Sequence, residues 1–166
     1  MYNLLDLTFL MLVRLDSIER LENILSVTEF LNSNFSCAIS VHEYSSINNG
    51  LLKKLLGKNI CYSFFEDNDP ILYRTKFLNQ MTQSVKTPFV AVWDSDIIVP
   101  PNQIKKALEL LQKREADFVY PYEMEFLDTT LVLRKLYLQE GRISFLETNA
   151  KKMNKMYLPN PVGGAF

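Results

Sequence analysis

Pro88-Phe-Val-Ala-Val-Trp-Asp94-Ser95-Asp96-Ile-Ile-Val-Pro100-Pro101 is the stretch on which the fold turns. Its first half is a continuous apolar run bounded by a proline, the pattern of a strand buried on both faces of a parallel sheet. Two carboxylates, Asp94 and Asp96, follow where that strand should end. In an open α/β sheet the carboxyl ends of the strands face the ligand crevice, so chemistry is expected there. Aspartates at i and i+2 can both turn toward one point and present oxygen to a hard divalent cation, Mn2+ or Mg2+. The competing reading is a plain turn, since Asp and Ser are favoured in turns and a short Asp-x-Asp arises readily by chance.

Working outward, Leu7–Arg14 reads as a first buried strand, and Asp16 with Glu19 as a capping pattern for a helix carrying Ile18, Leu21, Ile24, Leu25, Thr28 and Leu31. Ser36–His42 is a second strand, ending at Glu43 and Tyr44; Leu51–Leu56 is a short helix stopped by Gly57; Asn59–Phe65 is a third strand. Asp69 and Pro70 are expected to cap and open a helix carrying Leu72, Lys76, Phe77, Asn79, Gln80 and Met81. After the organising strand, Pro101 starts a helix to about Arg114, and Asp117–Tyr120 is predicted as a fifth strand.

This alternation predicts an α/β fold, a mostly parallel (mixed) sheet with helices on both faces. Right-handed crossovers set the first strand beside the fourth, with the second and third beyond the first. The switch point then lies between the loop after Arg14 and the loop after Trp93, so a ligand there would meet Asp94 and Asp96 on one side and Arg14 to Ser17 on the other. Past Tyr122, Asp128-Thr129-Thr130 caps a helix to Gln139 ended by Gly141, and a second short helix covers about Ile143–Lys152. Two helices in place of a strand form an excursion of the kind that covers a site.

The 166 residues are read as one domain, 1–166. A net charge of −1 offers no basic surplus for nucleic acid or anionic lipid, and nucleic acid is excluded as a partner. Met1–Val13 lacks a basic n-region and a small-residue cleavage site, and no run of about 20 apolar residues follows. With Cys37 and Cys61 read as buried thiols on strands, these features predict a cytoplasmic protein in a reducing compartment, without a transmembrane segment. There is no G-x-x-x-x-G-K-[ST] loop and no G-x-G-x-x-G, so a bound diphosphate would need a metal and basic side chains. His42 is the sole histidine, which argues against a His-dependent nucleophile system; a lone His at a strand end is more often structural, and Trp93 is more often core than a stacking platform.

Ile71-Leu-Tyr-Arg74-Thr-Lys-Phe-Leu-Asn79 followed by Phe89-Val-Ala-Val-Trp-Asp94-Ser95-Asp96-Ile-Ile-Val-Pro100 resembles the nucleotide-sugar half of GT-A glycosyltransferases. The pattern is similar to the β-1,4-galactosyltransferase-like and bacterial capsule-type group, in which F-N-R-A-K-L-L-N precedes D-x-D-L-I-P. Arg14 matches an arginine of that group's P-F-R-x-R segment, and Gly163-Gly164 its G-G-V/A element. The resemblance implies a Rossmann-like nucleotide-diphospho-sugar transferase fold and a metal-dependent hexosyltransferase of capsule or cell-surface polysaccharide synthesis. The implied donor is a nucleotide sugar, a UDP-sugar by preference, and the implied acceptor a glycan or polysaccharide, with attachment peripheral to a membrane left open.

By the same resemblance Arg14, Asp16, Arg74, Asn79, Ser95, Gly163 and Gly164 line the donor, with Glu43 near the nucleoside, Asp94 on the ribose or metal, and Asp96 on the Mn2+ or Mg2+. A metal-neutralised diphosphate is the better leaving group as the glycosidic bond breaks. Structural alternatives stand beside each: Arg74 could pair with Glu66 or Asp67, Asn79 could cap, and Glu43 could be solvated. Val13 stands where the group has an aromatic, and no proline precedes it. The group's W-G-W-G-x-E-D-D segment, source of the general base, and its downstream metal histidine would follow Phe166, so the chain is expected to be a donor-binding half. A nucleotidylyltransferase would be expected to show a G-x-G-x-R-like loop after the first strand, and Leu12-Val-Arg14-Leu-Asp16 has no glycine. A non-catalytic nucleotide-sugar-binding or interaction domain remains the other alternative.

Overall fold

The computed structural model describes residues 1–122 and 125–157. Its elements are β1 (Tyr2–Val13), α1 (Ile18–Asn34), β2 (Phe35–Ser45), α2 (Leu51–Leu55), β3 (Cys61–Glu66), α3 (Arg74–Thr82), β4 (Phe89–Val92) and α4 (Pro101–Gln112). They are followed by β5 (Glu125–Asp128), α5 (Leu131–Glu140), α6 (Ile143–Asn149), a 3-10 turn at Ala150–Lys152, and β6 (Asn154–Tyr157). Strands β1 to β4 form a parallel sheet in the order β3-β2-β1-β4, the order that the crossover rule predicts.

Period-two alternation along β1 decides what packs where. Leu7, Phe9, Met11 and Val13 point to one face and join Leu21, Ile24, Phe30 and Leu31 of α1, Leu52 of α2, and Ile104, Leu108 and Leu111 of α4 in one core. Leu10 and Leu12 point to the other face, where they meet Phe77 and Met81 of α3 together with Tyr44. The sheet is thus covered on both sides, and each fully buried Leu, Ile or Phe contributes about 1.5–3 kcal/mol of apolar transfer free energy. In α4 the buried positions Ile104, Ala107, Leu108 and Leu111 follow helical spacing behind Pro101 in the first turn.

Several expectations are corrected. Asp117–Tyr120 forms no strand: the four-stranded sheet ends at β4, and Phe118, Tyr120 and Tyr122 instead pack ring against ring. The next strand, β5, pairs antiparallel with β6 in a separate two-stranded sheet. Helix α3 starts at Arg74, not Pro70, because the Asp69 carboxylate accepts from the Ile71 amide and closes a local turn ahead of it. The cap of α1 is Ser17, whose hydroxyl accepts from the Arg20 amide, while Asp16 pairs with Arg20 at 2.8 Å. Both cysteines are free, but Cys61 is exposed and Cys37 half-buried, its thiol pushed up to about 12 by burial. In α5 the expected signals hold, with Thr130 accepting from the Leu133 amide and Gly141 left-handed at φ 70°. Among the described residues no helix is long and apolar enough to cross a membrane.

Candidate functional site at the carboxyl edge of the sheet

Strand β4 ends at Val92 opposite Leu10, whereas β1 continues to Val13, so the chain from Asp94 to Ile97 turns over the step between them. Trp93 builds that turn. Its amide donates to Leu10 O at 2.9 Å, its buried ring meets Phe9 edge to face at 5.3 Å, and its Nε1–H donates to Ile97 O at 3.0 Å. The indole thereby closes a strap across Asp94, Ser95 and Asp96, a positioning role that its reading as core alone did not include.

Within the strap the two carboxylates differ. Asp94 is the less exposed and forms an ion pair with the Arg74 guanidinium at the start of α3. Asp96 is open to solvent on one side, yet protein crowds its carboxyl group. That desolvation, reinforced by the negative charge of Asp94, raises its pKa; its own backbone amide and the charges of Arg20 and Arg74 pull in the opposite direction. The Tyr122 phenol is pushed up to about 12 by burial first, then by Tyr120 and Asp94.

Arg14 leaves the end of β1 and is spent on the protein. Its Nε donates to Tyr44 O at 3.2 Å, Nη1 to Asp69 O at 2.9 Å and to Pro70 O at 3.2 Å, and Nη2 meets Asp67 Oδ2 at 2.5 Å. Arg14 and Asp94 therefore hold the two ends of one segment, residues 67–74: the first grips its start and the second grips Arg74. Arg14 and Asp16 also line a cavity of about 300 Å³ with Ser45, Asp67, Asn68 and Asp69.

Glu43 lies almost wholly buried at the end of β2 and accepts a 2.7 Å hydrogen bond from the Tyr62 hydroxyl, whose pKa is raised by burial and by that carboxylate. Asn79 is exposed on α3, Ser95 is half-buried, and Gly163 and Gly164 lie outside the described residues. His42 meets Phe65 in a tilted ring contact at 4.9 Å between centroids, burial lowers its pKa, and its Nδ1 has no hydrogen-bond partner among the described residues.

A second cavity, about 1230 Å³ and open, runs from Asp96–Pro100 to the excursion formed by β5, α5 and α6. Arg134 of α5, which no local pattern singled out, docks that excursion on α1: it donates to Asn23 Oδ1 at 2.9 Å and Glu19 O at 3.1 Å, and pairs with Glu22 at 2.8 Å. The signal was not available locally, because its partners lie more than a hundred residues earlier.

For a divalent cation, the donors on hand are Asp96 and, in competition with Arg74, Asp94. Among the described residues no group of three or more His, Cys, Asp or Glu side chains could enclose a metal. Two carboxylates suit Mg2+ or Mn2+ in the mode where phosphate oxygens and water complete the shell, not an all-protein cage. Asp94 and Asp96 could supply at most part of such a shell.

No protein-family model matches the sequence, and no curated protein sequence matches it. Among solved structures, the chain is similar to that of a "putative nucleotide-diphospho-sugar transferase" from Desulfovibrio desulfuricans G20, with a TM-score of 0.47 and 17% identity. The likeness covers 66% of this chain and 55% of that one, so this chain matches little more than half of its neighbour's length. At that identity and score the likeness assigns no role to any residue, and the carboxyl-edge geometry stands on its own.

Proposed function

We propose that this chain binds a nucleotide-diphosphate sugar, a UDP-sugar by preference, and serves as the donor-binding part of a metal-dependent glycosyltransferase acting on a glycan or polysaccharide. The observation that carries the reading is Asp96: an accessible carboxylate at the switch point beside β1, with its pKa raised and a second carboxylate two residues away. When bound, Mn2+ or Mg2+ would neutralise charge developing on the diphosphate as the glycosidic bond breaks. Asp96 would hold the ion, and Asp94 would hold Arg74 where its guanidinium can face a phosphate.

The small cavity beside Arg14 and Asp16 suits the base and ribose, because its rim of Asp16, Asp67 and Asp69 repels phosphate. Arg14 shapes that cavity through the 67–70 turn, with four of its five N–H donors engaged within the protein. The large cavity beyond Asp96 has room for the sugar and an acceptor.

Calorimetry of UDP with Mn2+ and with EDTA tests the binding, and release or transfer of sugar from a panel of UDP-sugars tests the chemistry. Cation-dependent binding is expected; equal affinity in EDTA overturns the reading.

A further inference from the structure

Helix α5 is apolar on its outward side as well as on its buried one. Leu133 and Tyr137 are buried, and Arg134 is committed to α1, so the opposite arc of the helix faces outward. That arc consists of Leu131, at the rim of the large cavity, Val132, Lys135, Leu136 and Gln139, which fall within about 140° at 100° per residue. Leu131 is 83% exposed, Val132 69% and Leu136 44%, a face a soluble surface helix would make polar. Apolar and basic residues meet again on the β5–β6 ladder, where exposed Leu127 lies directly opposite exposed Lys155.

The charge of the segment that carries this face is unlike that of the whole chain. Residues 131–157 contain six Lys or Arg and two Asp or Glu, a surplus of four positive charges in a chain whose total is −1. Arg134 is neutralised by Glu22 and Arg142 by Glu140, whereas Lys135, Lys151 and Lys152 are exposed and make no ion pair among the described residues. The total net charge, which argued against anionic lipid, conceals a basic segment balanced by acidic residues elsewhere.

We propose that the outward face of α5, with the lysines of residues 131–157, docks on an anionic lipid bilayer. Exposed aliphatic side chains with lysine among them are the composition of an interfacial helix, lying in the headgroup region with its apolar side down. A second copy fits the face poorly. The helix is about 15 Å long, small beside the roughly 800 Å² per partner of a stable interface, and two copies would bring like charges together.

The test is co-sedimentation of the 166-residue chain with vesicles of phosphatidylcholine alone and of phosphatidylcholine mixed with phosphatidylglycerol. Binding is expected to the mixed vesicles and to fall as salt is raised. Lys135→Gln/Lys151→Gln/Lys152→Gln should weaken it on the order of 100-fold. Leu131→Ser/Val132→Ser/Leu136→Ser should weaken it at least about 10-fold, with the far-UV circular dichroism spectrum retained because Leu131 and Val132 are largely exposed and Leu136 is partly so. No binding to the mixed vesicles overturns the proposal, as does equal binding by wild type and both variants. Light scattering that shows a dimer which the serine variant dissociates assigns the face to self-association and also overturns it. No nucleotide enters the assay, so its failure and that of the donor-site reading are separable.

Discussion

The guanidinium of Arg74 is ion-paired with the carboxylate of Asp94, which leaves Asp96 as the accessible member of the Asp94-Ser95-Asp96 run. The pair joins the first turn of α3 to the end of β4 across the mouth of the sheet. Arg74 is half exposed, so solvent screens the pair and its loss should cost only about 0–1 kcal/mol. Arg74→Ala is therefore expected to leave the urea midpoint almost unchanged while raising the Asp96 pKa further, since Arg74 is one of the charges that lowers it. Carboxyl-carbon titration by NMR checks this; an unmoved Asp96 would show that Arg74 does not act on the site.

Asp96 should matter most for the nucleotide and least for the fold. Asp96→Asn is expected to abolish Mn2+-dependent UDP binding, Asp94→Asn to weaken it, and Ser95→Ala to change it little, all read by calorimetry at fixed Mn2+. Stability should move in the opposite sense. The folded chain holds the Asp96 proton more tightly than the unfolded chain, so its contribution is present below the ordinary value of 3.8 and is lost as pH rises through the folded pKa. At neutral pH Asp96→Asn should accordingly melt above wild type, with the difference closing in acid. A lower melting temperature at neutral pH would identify Asp96 as a structural turn residue.

Arg14 is expected to behave as part of the fold. It is mostly buried, and removing it strands the Asp67 carboxylate and three carbonyls. Arg14→Ala should cost about 2–4 kcal/mol. Arg14→Lys should recover little, because an ammonium cannot reproduce the planar fork that reaches Asp67, Asp69 and Tyr44 together. Urea denaturation of the two variants separates this from a role in ligand binding alone, which would leave both midpoints at the wild-type value.

His42 should make the chain acid-sensitive. Burial lowers its folded pKa below the ordinary 6.5, so its contribution is fully present above 6.5 and is lost as pH falls toward the folded value. It is the only histidine, so its ring signals report the titration without overlap. His42→Phe is expected to flatten the melting temperature across that window. An unchanged slope would place the acid sensitivity in the carboxylates.

Much of the architecture could be read from the residues alone. The apolar runs of β1 and β4, the helical stripe of α4, and the caps Thr130 and Gly141 depend on neighbours within a few positions, and local sterics and hydrogen bonding decide them. The strand order followed as well, because right-handed crossovers leave few arrangements for such a chain. Local pattern misled where a ladder partner was needed: Asp117–Tyr120 has strand composition, but among the described residues no neighbouring strand takes up its backbone groups.

Tertiary structure alone decided what each charged side chain does. Arg14 and Arg74 are both arginines near the carboxyl edge, equivalent as sequence, yet the first is consumed by a turn more than fifty residues away and the second meets Asp94 twenty residues on. Whether a cation is spent or available depends on which acceptors the fold brings within about 3 Å, and those acceptors lie far off in the chain. The outward apolar arc of α5 follows the same rule. Its residues are plain in the sequence, but only the docking of Leu133, Arg134 and Tyr137 determines which side of the helix is left to solvent.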